Sequence, residues 1–180
     1  MRTFVAIEIN NQEILDSIAQ IQSEIKIRAK PVPTKNIHFT IQFLGEVSDE
    51  MSKKIQDELK QIQFEAFEVS IIGIGAFPKP SSPRVVWAGT DKEGGKNLSQ
   101  LALVISEKLS NFGFNNDKPF KPHLTIFRVK NKIGNISNEL KQYESFKFGT
   151  QKILEIKFKK STLTSDGPIY SDLQVVKAKQ

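Results

Sequence analysis

The chain has 180 residues, with 26 Lys plus Arg against 20 Asp plus Glu for a formal net charge of +6, and it contains no cysteine. That length suits one compact domain or two small lobes sharing a core, burying roughly 70% of the unfolded surface without covalent staples. The missing thiols exclude disulfides, thiolate nucleophiles and any zinc or iron–sulfur site built on cysteine.

Residues 2–9 (RTFVAIEI) are rich in β-branched side chains and predict a strand from the outset. Glu8 lies where a secretory leader would need an unbroken apolar run, and no stretch approaches the roughly 20 apolar residues of a membrane span, so a cytoplasmic location is expected. Asn10 or Asn11 can cap a helix whose stripe is Ile14, Leu15, Ile18, Ile21 and Ile25, and which must stop before Pro31-Val32-Pro33. Ile37–Leu44 alternates as a strand ended by Gly45. Ser48 then caps a second helix, with Asp49 and Glu50 in its first turn and Met51, Ile55, Leu59 and Ile62 facing inward. Phe67–Gly75 is a further strand in which Gly73 and Gly75 imply a bulge or a close backbone approach.

The three prolines of Phe77–Pro83 predict a loop, and Val85–Gly89 a short apolar strand. A third helix is expected from about Lys96 to Phe112, then a polar connection over Asn115–Pro122 and a strand over His123–Val129. A short helix is expected near Ile136–Tyr143, one long strand over 152–164, a turn at Ser165–Pro168 and a last strand over Ile169–Lys177. Helices alternate with strands early and strands dominate late, which implies a mixed α/β or α+β domain with no linker long enough to divide it.

The two histidines are the most informative residues. His38-Phe39-Thr40-Ile41 and His123-Leu124-Thr125-Ile126 repeat one pattern 85 residues apart, close to half the chain. On a strand, positions i and i+2 project to the same face about 7 Å apart, so each segment offers one imidazole and one hydroxyl together. The intervening Phe39 and Leu124, with Ile41 and Ile126, face the opposite side, where a core would sit. Two such strands facing each other would surround one anionic group with two imidazoles and two hydroxyls. Phosphoryl transfer calls for such a set: a base on one side of phosphorus, an acid on the other, and donors to the equatorial oxygens between. Histidine suits both proton roles because its ordinary pKa is near 6.5. A lone strand histidine is more often a hydrogen-bonded core or rim residue, but two in matched settings favour a shared task. Neither strand repeats ligands at i, i+2 and no carboxylates cluster beside them, so metal-independent chemistry without a cofactor is expected. The basic excess, with a pI near 9.4, favours a polyanionic partner.

These segments resemble the two-histidine phosphoesterases, and within them the RNA 2′,3′-cyclic phosphodiesterases, also called 2′-5′ RNA ligases. The paired HxT motifs, with Phe43-Leu44-Gly45 after the first, carry the resemblance. Arg84–Gly89, Ser161-Thr162-Leu163, Gly167–Tyr170 and the opening Arg2–Ile7 extend it over almost the whole chain. It implies an α+β fold over residues 1–180 as a single two-lobed domain, pseudo-twofold, with antiparallel sheets lining a central cleft and helices outside. It also implies hydrolysis of terminal 2′,3′-cyclic phosphates to 2′-phosphates, with His38 as acid, His123 as base, and Thr40 and Thr125 holding the phosphate. In such proteins an arginine at the position of Arg128 tends to reach the phosphate. Strict alternation puts Arg128 on the face opposite His123 and Thr125, so it helps only if the strand twists, bulges or ends there.

Arg84 is a softer phosphate candidate. Phe77, Trp87, Phe120 and Tyr170 are candidates to stack on a base, though each reads first as core. Lys79, Lys118, Lys121 and Lys130 are candidates for RNA backbone contact, though each reads first as a solvated charge. The expected partner is an RNA end bearing a 2′,3′-cyclic phosphate, tRNA among the candidates, met by a monomer away from any membrane. Two alternatives remain at this point: a 2′-5′ RNA ligase joining tRNA halves by the same chemistry, and an RNA-binding module without catalysis.

Overall fold

A computed structural model describes residues 1–180 as two antiparallel sheets and four helices. The strands are β1 (Arg2–Glu8), β2 (Lys30–Pro31), β3 (His38–Glu46), β4 (Phe67–Lys79), β5 (Ser82–Thr90), β6 (Leu124–Arg128), β7 (Lys147–Ile153), β8 (Glu155–Thr164) and β9 (Gly167–Lys177). The helices are α1 (Gln12–Glu24), α2 (Asp49–Leu59), α3 (Lys92–Ser110) and α4 (Ser137–Lys141). One sheet runs β3-β1-β8-β9 and the other β2-β6-β5-β4-β7. This is the expected α+β architecture. The two HxT segments fall in different sheets, with His38 opening β3 at the edge of the first. His123 lies one residue before β6, which is next to the edge of the second and shorter than the expected His123–Val129 strand, and β3 and β6 approach each other between the sheets.

Each element follows from local chemistry. The Asn11 side chain accepts from the Glu13 and Ile14 amides, and that of Ser48 from the Met51 amide, capping α1 and α2 where expected. Ile14, Ile18 and Ile21 bury the inner stripe of α1, which lies on β7. Phe4, Val5, Ala6 and Ile7 are all buried in succession, as befits a central strand covered on both faces.

Several boundaries differ from the sequence expectation. Helix α3 begins at Lys92 rather than Lys96, because Asp91 caps it through the Gly94 amide. Gly94 is a packing requirement there: a Cβ would lie 2.9 Å from the Val69 Cα and 2.4 Å from the Asp91 carboxylate. Phe77–Pro83 is the end of the β4–β5 hairpin and not a loop, with Pro78 opposite Pro83 where the ladder needs no amide donor. The expected strand over 152–164 is two strands that part at Leu154, so that β7 joins one sheet and β8 the other. Gly75 does mark a close approach, since a Cβ would come within 2.3 Å of the Trp87 ring. No helix is long and apolar enough to cross a membrane.

Candidate active site

Strands β3 and β6 build the site by the same local device. In β3, Ala6 of β1 pairs with Thr40 and Val5 with Gln42, so Ile41 is an extra, unpaired residue. In β6, Trp87 of β5 pairs with Thr125 and Val86 with Phe127, so Ile126 is the extra one. Each is a β-bulge one residue after the threonine. Its signature is two adjacent buried residues, Ile41-Gln42 and Ile126-Phe127, where simple alternation would expose the second.

The bulge settles the direction of Arg128. Beyond it the alternation is reset, so Arg128 is exposed on the side of Thr125 and lines the cavity between the sheets. That cavity, of about 650 Å³, is lined by His38, Thr40, Thr125 and Arg128 together, with Lys30, Lys35, Arg84, Lys130 and the β8–β9 hairpin tip also on its walls, and Lys35 adjoins that tip; His123, two residues before Thr125, is not among its lining residues. Of the candidate stacking residues only Tyr170 lines it. Phe77 packs edge-on against His123 with ring centroids 5.0 Å apart, Trp87 packs on Phe77, and Phe120 packs against the core. Of the candidate lysines, Lys130 lines the cavity, while the Lys121 ammonium sits over the Phe77 ring; Lys79 and Lys118 are not among its lining residues.

Both imidazoles are held the same way. His38 donates from Nδ1 to the Asn36 carbonyl at 2.7 Å, and His123 donates from Nδ1 to the Lys121 carbonyl at 2.6 Å. A carbonyl only accepts, so Nδ1 carries hydrogen in both rings and Nε2 is the nitrogen left to titrate. In the neutral His38 ring Nε2 accepts from the Thr40 hydroxyl at 2.9 Å, whereas Nε2 of His123 has no protein partner. Tyr170 stands edge-on to His38 at 5.6 Å between centroids, with Phe4 on another side at 5.3 Å.

Burial lowers the pKa of both histidines below the ordinary value, opposed by the carbonyl each ring donates to. The positive charge of Arg128 pushes both down further, so one guanidinium acts on both rings. His38 also sits beside an ion network that sequence reasoning missed. Lys159, buried, binds Glu8 and Asp172, and Lys157 binds the same two carboxylates. Glu8 pairs with His38 in the β1–β3 register, and Lys159 shares a small cavity with His38 and Tyr170. Burial opposes ionisation of Glu8 and Asp172, but the hydrogen bonds and charges of the two lysines prevail and keep both carboxyls below their ordinary range. The network draws on β1, β8 and β9, and only the alternation of Lys157 and Lys159 on one strand hinted at a shared face. No group of three or more His, Cys, Asp or Glu is placed to hold a metal ion.

Comparison with known proteins gives a consistent picture. Residues 2–177 match the family described as the AKAP7 2′5′ RNA ligase-like domain. The chain is 41% identical over 177 residues to an RNA 2′,3′-cyclic phosphodiesterase of Archaeoglobus fulgidus, covering 97% of this chain and 99% of that protein. It is 38% identical over 173 residues to the protein of the same name from Methanocaldococcus jannaschii, covering 94% and 96%. The crystal structure of E. coli LigT complexed with 3′-AMP superposes with a TM-score of 0.81 at 25% identity, covering 99% of this chain and 98% of that one.

Proposed function

The chain belongs to the 2′-5′ RNA ligase-like family of two-histidine phosphoesterases, and on that premise we propose that it hydrolyses terminal RNA 2′,3′-cyclic phosphates to 2′-phosphates without a metal. The observation that carries this reading is the matched pair of imidazoles. Each is fixed by a carbonyl two residues back so that Nε2 does the proton work, and each is followed at i+2 by a threonine on the same side, with a bulge just beyond it.

His123 acts as base and His38 as acid. The Nε2 lone pair of His123 has no protein partner and is open to a water proton. Water attacks phosphorus as His123 takes its proton; the P–O3′ bond breaks and His38 delivers a proton to the 3′ oxygen. The product keeps its phosphate on the 2′ oxygen. Thr40, Thr125 and Arg128 hold the non-bridging oxygens, where neutral hydroxyls and one guanidinium stabilise the added charge of the pentavalent state. Burial and the Arg128 charge favour the neutral form of both rings in the free protein, while the acid role needs one of them protonated. An anionic phosphodiester near them favours that protonation. The 180 residues work as one two-lobed unit, a monomer in the cytoplasm, with RNA ends including those of tRNA as substrates.

A cyclic nucleotide incubated with the protein in excess EDTA, followed by phosphorus NMR, tests the proposal. The expected product is the 2′-phosphate, formed at an undiminished rate in chelator and lost in His38→Ala and His123→Ala. A 3′-phosphate product, or turnover abolished by chelator, would overturn it. Joined strands from two supplied RNA halves would move the reading to ligation.

A further inference from the structure

The basic side of the catalytic cavity does not end at the cavity. Lys130 is common to three adjoining depressions. One is the cavity itself. A second, of about 440 Å³, lies between Ser82–Arg84 and Lys130–Ile133, and a third, of about 350 Å³, between Arg28–Lys30 and Lys130–Ile133. The segment after β6 thus forms a ridge lining a groove on either side, and each groove shares lining residues with the cavity, Arg84, Val129 and Lys130 in one and Lys30 and Lys130 in the other. Arg28, Lys30, Arg84, Lys130 and Lys132 line this surface, all exposed, and none is ion-paired with a carboxylate. No acidic residue lines either groove.

The hairpin-tip wall has another character. The hairpin tip contributes Thr164, Asp166, Gly167, Pro168, Ile169 and Tyr170, with Ile169 61% exposed. A strand leaving the cavity thus meets cations along the Lys130–Ile133 segment and, at the tip, the apolar faces of Pro168, Ile169 and Tyr170 beside one carboxylate, Asp166, which suits phosphates on the first and bases on the second.

We propose that the Lys130–Ile133 ridge and its two grooves are a subsite for the single-stranded RNA immediately 5′ of the cyclic phosphate. This rests on the RNA-end reading above and adds to it a substrate class, an oligonucleotide in preference to a mononucleotide. Lys130 and Arg84, shared with the cavity, take the first upstream phosphate. Lys132 and Arg28, which line only the grooves, take the next ones. A cyclic mononucleotide has no upstream phosphate and uses the cavity alone.

The test compares a cyclic mononucleotide with a single-stranded pentanucleotide ending in the same nucleoside 2′,3′-cyclic phosphate, on wild type and on R28Q/K132Q. The wild type is expected to show kcat/KM at least about tenfold higher for the pentanucleotide at low salt. The double variant should lose most of that advantage while its mononucleotide rate stays within about twofold. Removing two single-strand phosphate contacts should also flatten the slope of log binding constant against log salt by about 1.4. That slope is read by fluorescence anisotropy on a labelled 2′-phosphate-ended pentanucleotide, a measurement that needs no turnover and so stands even if hydrolysis fails. Equal handling of both substrates by the wild type, or an unchanged salt slope and pentanucleotide affinity in the variant, would overturn the proposal.

Discussion

The two histidine strands repeat one geometry in unequal surroundings. In β3 and β6 the ring is tied to a carbonyl two residues back, the threonine follows at i+2, and a bulge comes one residue later. The differences lie outside that frame. Five residues after the histidine, β6 has Arg128 while β3 has the exposed Phe43. Nε2 of His38 is engaged by Thr40 and the ring adjoins the Glu8–Lys159–Asp172 network, while Nε2 of His123 is unengaged. The strand sets where each imidazole points; its neighbours set how readily it holds a proton. One fold element can thus be used twice for opposite proton roles.

The strongest way to break the comparison is to remove each ring. His38→Ala and His123→Ala should each lower kcat by about 10²–10⁴-fold, with the double variant far less than additive because acid and base act in one step. Circular dichroism should show both variants folded, since neither ring is part of the buried core. Full additivity would mean that the two groups serve different steps.

Arg128 comes next. Arg128→Gln should reduce kcat/KM by about 10–100-fold, the scale of one lost charge-assisted contact to phosphate. It should also raise the pKa of both histidines, since the same guanidinium depresses both. Movement of only one limb of the pH profile would show that Arg128 serves one ring.

The pH dependence sharpens the comparison further. With both rings lowered by burial and by Arg128, the bell of kcat/KM, which needs one ring protonated and one neutral, should centre on the acid side of 6.5. Lys159→Met removes a cation that lowers His38 and leaves Glu8, which raises it, less neutralised. The limb belonging to His38 should therefore move alkaline and that of His123 should stay. Two limbs moving together would place the network's influence on both rings.

The smallest effect on catalysis is expected at Gly75. Ala there would overlap the Trp87 ring, costing about 1–3 kcal/mol of stability in denaturant melts, with kcat lowered less than in the variants above because Trp87 reaches His123 only through Phe77.

What the sequence carried was periodic and local. The helix caps at Asn11 and Ser48, the stripe of α1 and the paired HxT pattern were all legible because each depends on neighbours within a few residues. The aim of Arg128 was not, because the extra residue that redirects it is defined by pairing with β5, and alternation alone points the wrong way. The ion network beside His38 joins residues nearly the length of the chain apart, and no spacing rule reports such a meeting. The early start of α3 was hidden for another reason: it depends on the Asp91 cap and on Gly94 lying close to β4, a contact made between elements.

Nitrogen-15 NMR of the two imidazoles, titrated with and without a nucleoside 2′-phosphate, reaches the central claim most directly. Both rings should be Nδ1–H tautomers when neutral, and the ligand should raise both pKa values together. Nε2–H tautomers, or a ligand that shifts one ring and leaves the other untouched, would contradict a shared phosphate between them.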